Sequence, residues 1–331
     1  MAATLNNTST GTISGSSSLT ISHTVGSGSN RYLEVTACCT NSSDYLAAAT
    51  CAYGGVSMGS PIVTAVAGSA NRFTYTWGMV APASGTANVV ITPSSDAYLD
   101  AIVRDYTGVD QSTPVAGSTK FANPISSPLS TQTLACPAGG LLADFFTARA
   151  TGQTLTPGAS QTRSGTTIAG GVSTSSGSTK SSSDLSWSAW TGSQACAHVG
   201  IALNAAAASP TTATLTGPTT GTTGSASSNF TVTLDAPATS TVTITPAGTV
   251  GTVTFTPATP TITAGNTSTT FTANADTDGT HSISITTSPT LTYSGSPISY
   301  VTSPPAAGDN SAARLSQLSG AFGPLVFGNR R

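Results

Sequence analysis

Leu19-Thr20-Ile21-Ser22-His23-Thr24-Val25 alternates apolar and polar side chains without a break. Successive side chains of a strand point to opposite faces, so strict alternation places Leu19, Ile21, His23 and Val25 on one side of a sheet. A helix would instead need apolar residues every three or four positions. The same period of two continues in Arg31-Tyr32-Leu33-Glu34-Val35 and recurs at 72–80, 87–92, 98–107, 140–147, 166–173, 184–190 and 196–203. Clusters of turn residues separate these runs, among them 26–30, Tyr53-Gly54-Gly55, 81–85 and Pro157-Gly158. No amphipathic helical pattern of useful length interrupts them. Many short strands with frequent turns predict an all-β fold, a large jelly-roll-like β-sandwich over residues 1–204. Residues 1–15 are polar and read as extended.

The chain then passes through a small-residue connector at 205–208, and Pro210 stops any helix there. From 205 to 313 it has no Lys or Arg. Thr alternates with Val, Phe, Ile or Leu in about seven short strands, including Asn229-Phe-Thr-Val-Thr-Leu234 and His281-Ser-Ile-Ser-Ile-Thr286. That density of short strands predicts an immunoglobulin-like sandwich over 211–303, without the Cys…Trp…Cys set of antibody domains. Residues 304–331 form a third segment. Asp309 or Asn310 can cap a short helix whose Leu315 and Leu318 share a face, followed by Phe322, Leu325 and Phe327. An apolar tail beyond a finished sandwich either folds back or binds a partner. The reading adopted is partner binding, with these five residues as the anchor and the segment helical or extended.

Composition narrows the function. Only 7% of residues are charged, against about 25% in ordinary soluble domains. Disorder normally pairs low hydrophobicity with high net charge. Here 37% of residues are hydrophobic and the net charge is −2, so the chain folds with Thr and Ser as its polar surface. Ten Lys and Arg, with no basic run beyond Arg330-Arg331, predict no nucleic-acid partner. No apolar run approaches the 18 or so residues of a membrane span, and the N-terminus lacks the basic and apolar regions of a secretory leader. Such a composition fits assembly in a host cytoplasm and release by lysis, as for a virion component.

Two stretches carry resemblances. Tyr53-Gly-Gly-Val-Ser-Met58, Trp77, Ala81-Pro-Ala-Ser-Gly-Thr-Ala-Asn-Val-Val-Ile91, Tyr106-Thr-Gly-Val-Asp-Gln-Ser-Thr-Pro114 and Ser186-Trp187 together resemble a β-sandwich module of phage structural and bacterial surface proteins. Ala213-Thr-Leu-Thr-Gly-Pro218, Asn229-Phe-Thr-Val-Thr-Leu234, Phe255-Thr-Pro257 and Thr270-Phe271 are similar to Ig-like repeats of bacterial and phage surface proteins. The resemblances imply spacer or adhesive modules and bring no catalytic residues or cofactor.

Chemistry-bearing residues are sparse. Gly55-Val-Ser57-Met-Gly59 matches G-x-S-x-G, but the pattern needs a strand-turn-helix elbow and no helix is predicted after it. Glu34 is the only Glu. Asp96, Asp100, Asp105 and Asp110 fall close in sequence, with Asp100 and Asp105 on opposite faces of a regular strand. His23, His198 and His281 lack metal-ligand spacing. His198 reads as packed in a late strand and His281 as a surface residue. Asp276-Thr-Asp278-Gly279 resembles half a calcium loop and reads as a turn. Five cysteines, Cys38, Cys39, Cys51, Cys136 and Cys196, have neighbours Cys38 and Cys39 on opposite faces of a strand. A Cys39–Cys51 disulfide is compatible with the sequence, but spacing fixes no pairing. Trp187 and Trp190 are the candidate glycan contacts, one of them core and the other a stacking platform.

The expectation is therefore a non-enzymatic bacteriophage virion protein displayed on the particle surface, a head decoration or fibre protein. Its partners are a major capsid or other virion protein and copies of itself, with a trimer expected, and a host surface glycan is a further candidate. The alternative is a tail-associated protein or bacterial cell-surface adhesin. Neither reading calls for a metal or cofactor.

Overall fold

The computed structural model describes residues 1–67, 71–125, 129–148, 154–165, 168–169, 173–188 and 194–306. The protein is all-β, with no helix among the described residues. It divides into two compact units, Met1–Ala207 and Ala208–Arg331.

The described residues of the first unit form four sheets. One inner sheet runs, in spatial order, Thr4–Ser16, Ala97–Thr107, Tyr32–Cys39, Arg72–Val80 and Val63–Ala67. Its outer partner runs Leu19–Val25, Gly85–Thr92, Thr50–Tyr53 and Val56–Ser57. Alternation decides what lies between them. Leu19, Ile21 and Val25 of the outer sheet meet Leu33, Val35, Ala37, Phe73, Tyr75 and Trp77 of the inner one.

The second sandwich repeats the strand order of the first, without a counterpart of Val56–Ser57. Its inner sheet runs Val115–Ile125, Gln194–Leu203, Leu141–Ala148, Thr174–Lys180 and Thr162–Arg163, with Ile168–Ala169 also on Thr174–Lys180. Its outer sheet runs Leu129–Gln132, Leu185–Ser188 and Thr156–Pro157. One irregularity is shared as well. A register shift between Leu5 and Asn7 lies opposite Tyr106, the partner of Tyr32. Its counterpart between Val115 and Gly117 lies opposite Leu203, the partner of Leu141. Gly54 N–H donates to Asn88 O at 2.9 Å, and Gly158 N–H donates to Ser186 O at 2.8 Å.

The two inner sheets pack on each other. Tyr32, Cys38, Ile102 and Tyr106 of one meet Phe145, Val199, Ile201 and Leu203 of the other. Packing is reciprocal: Val63–Ala67 lies on Val115–Ile125, and Ile168–Ala169 lies on Thr4–Ser16. Reciprocal contact of equivalent elements is the mark of a two-fold, isologous arrangement. Both inner sheets are consequently buried on two faces. Every residue of Tyr32–Cys39 is buried, and so is every residue of Leu141–Ala148 after Leu141.

The second unit is a sandwich of two five-stranded sheets. One runs Val253–Thr256, Ser268–Ala275, Phe230–Leu234, Thr212–Thr216 and Thr292–Ser294. The other runs Thr220–Thr222, Ile298–Ser303, Gly279–Ser288, Val242–Gly248 and Thr261–Ile262. The chain's first stretch in this unit serves both sheets, because Thr212–Thr216 and Thr220–Thr222 each pair in parallel with a late strand. The arrangement is immunoglobulin-like. Alternating Thr faces water while Phe230 stacks on Phe271 at 5.4 Å and meets Tyr300 edge-on at 5.6 Å. His281 departs from the sequence reading. It is fully buried, with Nδ1 2.9 Å from Val250 O and Nε2 2.9 Å from the Thr302 hydroxyl. A strand-opening His does not advertise that its ring points inward.

Sheet-on-sheet packing at the centre requires small residues where strands approach. A Cβ on Gly177 would lie 2.6 Å from Ile102 Cδ1 and 3.1 Å from Arg104 Nη1. Gly177→Val is expected to destabilise the first unit by about 1–3 kcal/mol through overpacking. The check is a lowered urea midpoint with an unchanged slope.

Candidate functional site

The central layer between the inner sheets is polar as well as buried. Glu34 and Arg104 are cross-strand neighbours on adjacent strands. Arg104 donates Nη2–H to Glu34 Oε1 at 2.6 Å and Nε–H to Oε2 at 3.0 Å. Tyr106 donates its hydroxyl to Oε2 at 2.6 Å, and Thr36 donates to Oε1 at 3.0 Å. Arg104 then reaches the second sandwich, donating Nη1–H to Ser178 O and Ser164 Oγ, both at 3.0 Å. Burial opposes the guanidinium's charge, but the adjacent Glu34 outweighs it and holds Arg104 above its ordinary range. Burial pushes the Tyr106 phenol well up, so it stays a donor.

Asp100 faces the same layer. It accepts from Thr12 at 3.2 Å, from Ser175 at 2.8 Å and from Ser173. Burial raises its pKa, while the three hydroxyls and Arg72 pull the other way. All the charged groups of these two networks come from the first sandwich. The second supplies hydroxyls, carbonyls and glycine.

Asp105 points to the opposite face, as the strand period predicts. Its carboxylate accepts from Asn7 N–H at 3.0 Å, Gly26 N–H at 2.9 Å and Asn6 Nδ2–H at 3.2 Å. His23 Nε2 lies 3.2 Å from Oδ1, and Ser9 Oγ lies 3.0 Å from His23 Nδ1. Ser9, His23 and Asp105 are thus strung together in the order of a hydrolase triad. The arrangement does other work. The register shift at Leu5/Asn7 turns the Asn7 N–H out of the ladder, and Asp105 takes it up together with the turn at Gly26. His23 is 1% exposed, so its ring offers no face to a substrate. Burial raises the Asp105 pKa, but His23, Gly26 N–H and Asn6 outweigh it, and the net shift is downward.

Asp144 organises the other core. It accepts from Ser178 N–H at 2.8 Å and the Ser178 hydroxyl at 2.7 Å on Oδ1. Oδ2 accepts from Trp187 Nε1–H at 2.7 Å and lies 2.8 Å from His198 Nε2. Trp187 stacks on Phe146 at 6.0 Å with the Arg163 guanidinium 5.5 Å from its ring centre. Trp187 is fully buried, so it is no glycan platform. Its indole N–H needed an acceptor, and Asp144 provides one below the surface. Trp190 lies outside the described residues, as do Leu315, Leu318, Phe322, Leu325 and Phe327.

The remaining candidates resolve simply. Gly54 and Gly55, at φ of 56° and 82°, make the hairpin turn that type I′ geometry demands, and Ser57 follows on a two-residue strand rather than a helix. Asp110 accepts from the N–H groups of Ser112 and Thr113 and closes a turn. Asp276 accepts from Thr252 N–H, and Asp278 from the Thr223 hydroxyl. Among the described residues no group of three or more His, Cys, Asp or Glu could hold a metal ion. All five cysteines are free thiols, so Cys39 and Cys51 are not bridged. They sit in one apolar core, where Cys51 Sγ lies 3.4 Å from Met58 Sδ and burial pushes its thiol up to about 12.

One open cleft stands out in the first unit. It has a volume of about 620 Å³ and lies between the hairpin at 53–58 and the turn at 78–87. Val56, Met58, Met79 and Val80 line it, and no charged side chain does. Sequence reading missed it because its walls are small residues of two turns that meet only in the fold. No family model matches the chain, and no curated protein matches it.

Two outcomes follow from the networks. Arg104→Met or Glu34→Gln alone is expected to cost about 3–5 kcal/mol, because each leaves a buried partner uncompensated. The double replacement, Glu34→Gln with Arg104→Met, should cost less than the two singles together, read by urea unfolding as a double-mutant cycle. Asp105 has a lowered folded pKa, so its contribution is full above the ordinary Asp range and is lost as pH falls through the folded value. Asp105→Asn should therefore cost about 1–3 kcal/mol at neutral pH and flatten the acid side of the stability profile.

Proposed function

We propose that this protein is a non-enzymatic structural component displayed on the surface of a bacteriophage particle, a head decoration or fibre protein. The observation that carries the reading is the use made of the carboxylates. Glu34, Asp100, Asp105 and Asp144 are buried and engaged by neighbours of the fold, Asp110 closes a turn, and Asp235 and Asp276 accept from backbone N–H groups distant in sequence. General acid–base work needs a titratable group within reach of a substrate proton. Here these carboxylates hold layers and loops in place, which suits a structural protein.

In this role residues 1–207 are the display body and the Ig-like unit is a spacer. The alternating Thr of its strands gives an uncharged, hydroxylated exterior. Residues 304–331 attach the protein, with Leu315, Leu318, Phe322, Leu325 and Phe327 filling an apolar groove of a capsid or other virion protein. Copies of the chain associate, as a trimer, and cover sheet edges that would otherwise stay open.

Attachment can be measured with shells assembled without the protein, from the phage that carries its gene. Full-length protein is expected to bind them and a chain truncated after Ser303 is not. Equal binding of both would move attachment to another part of the chain. Binding of neither would remove the decoration reading.

A further inference from the structure

The repeat within the first unit supplies an internal control for its cleft. Equivalent strands, register shifts and closing hydrogen bonds superimpose the two sandwiches in sequence, so any feature present in one alone is an addition to the common plan. Both lips of the cleft are such additions. The turn at 80–87 answers to the shorter 181–185, because Arg72–Val80 and Thr174–Lys180 are equivalent strands and Asn88 and Ser186 are equivalent acceptors. The hairpin at 54–62 answers to the shorter 158–163, because Gly54 and Gly158 are equivalent donors.

In the shorter version Gln161 occupies the corresponding place. After Gly158 the chain turns at once, with Gln161 N–H donating to Gly158 O at 3.1 Å, and enters the inner sheet. Gln161 fills the mouth: its Oε1 accepts from Ser186 N–H, and its Nε2 donates to Ser178 Oγ at 2.7 Å. In the first sandwich the longer hairpin adds an edge strand, Val56–Ser57, to the outer sheet and holds the mouth open. Val56 is 63% exposed on one lip and Val80 is 45% exposed on the other. Two of the chain's three methionines, Met58 and Met79, lie between them. Unbranched thioethers adapt to varied apolar shapes, which is why they recur at peptide-binding surfaces.

We propose that this cleft binds an uncharged apolar segment of a partner protein, received as an extended strand along Val56–Ser57. The occupant follows from two features. Charge on the ligand would meet no counter-charge, since no lining residue is charged. Val56–Ser57 ends its sheet, so its outer edge is open to main-chain pairing, while Met79 and Val80 offer apolar contact for alternate side chains. A cleft of about 620 Å³ has the size of an ordinary ligand site. Gln161 closes the corresponding place in the second sandwich, so the proposed site lies in the first sandwich.

The test uses full-length protein with ¹³C-methyl methionine and the capped tripeptide acetyl-Leu-Val-Phe-amide. Met58 and Met79 methyl resonances are expected to move saturably, with Met1 as the unmoved reference. Val56→Ser combined with Val80→Ser should weaken the response at least tenfold; both side chains are exposed, and an unchanged thermal midpoint shows that the fold is intact. The proposal is overturned if Met58 and Met79 stay still, or if the variant responds like the natural chain. Equal saturation by acetyl-Lys-Val-Asp-amide removes the charge argument, and equal saturation by acetyl-leucine-amide removes strand addition.

Discussion

The Arg104–Glu34 pair sets the terms for the rest of the first unit. Two sheets already covered on their outer faces meet here face to face, and both are buried. A charge buried in such a layer must be paired and fully hydrogen-bonded, or it unfolds its surroundings. Glu34 satisfies Arg104 within one sheet, and Ser178 O and Ser164 Oγ satisfy it from the other. Geometry therefore fixes how the two sandwiches register. Apolar faces alone would permit sliding; a guanidinium aimed at one carbonyl and one hydroxyl does not.

The same layer shows how a repeated plan becomes an asymmetric one. Strand order, register shifts and closing hydrogen bonds are common to both sandwiches, but charge is not. Position for position, Glu34 answers to Ala143 and Arg104 to Ile201, as the pairings of Tyr32 with Tyr106 and Leu141 with Leu203 place them. One inner face carries charge and the other carries small polar groups, so each face complements the other and not itself. A second divergence lies at the mouths, one plugged by Gln161 and one left open. Equivalent positions have thus been turned to two uses, cohesion at the centre and access at the rim.

Much of this was legible in the sequence, for stated reasons. Leu19–Val25 alternates because one of its faces meets water, and it reads as a strand at sight. The opposite faces of Asp100 and Asp105, and of Cys38 and Cys39, follow from the same period. Thr4–Ser16 and Thr174–Lys180 are harder. The first is an edge strand of polar residues, and the second is built of Ser, Thr and Gly whose hydroxyls are buried. Neither has the apolar period that a strand is recognised by. The four-sheet division was hidden because the polar positions of the alternating inner strands, such as Glu34, Thr36, Asp100 and Arg104, read as water-facing although a second sheet buries them. The cleft was hidden because its two lips are neighbours only in space, and Trp187 looked available because nothing in Ser186-Trp187 shows that Asp144 waits beneath it.

Native-state hydrogen exchange tests the central claim, that the polar layer makes the two sandwiches a single cooperative body. Amides of Tyr32–Cys39 and Leu141–Ala148 lie in different sandwiches on either side of that layer. The account predicts one shared opening free energy for both strands, falling together as urea is added. Separate opening energies, with one sandwich exchanging while the other stays protected, would contradict it.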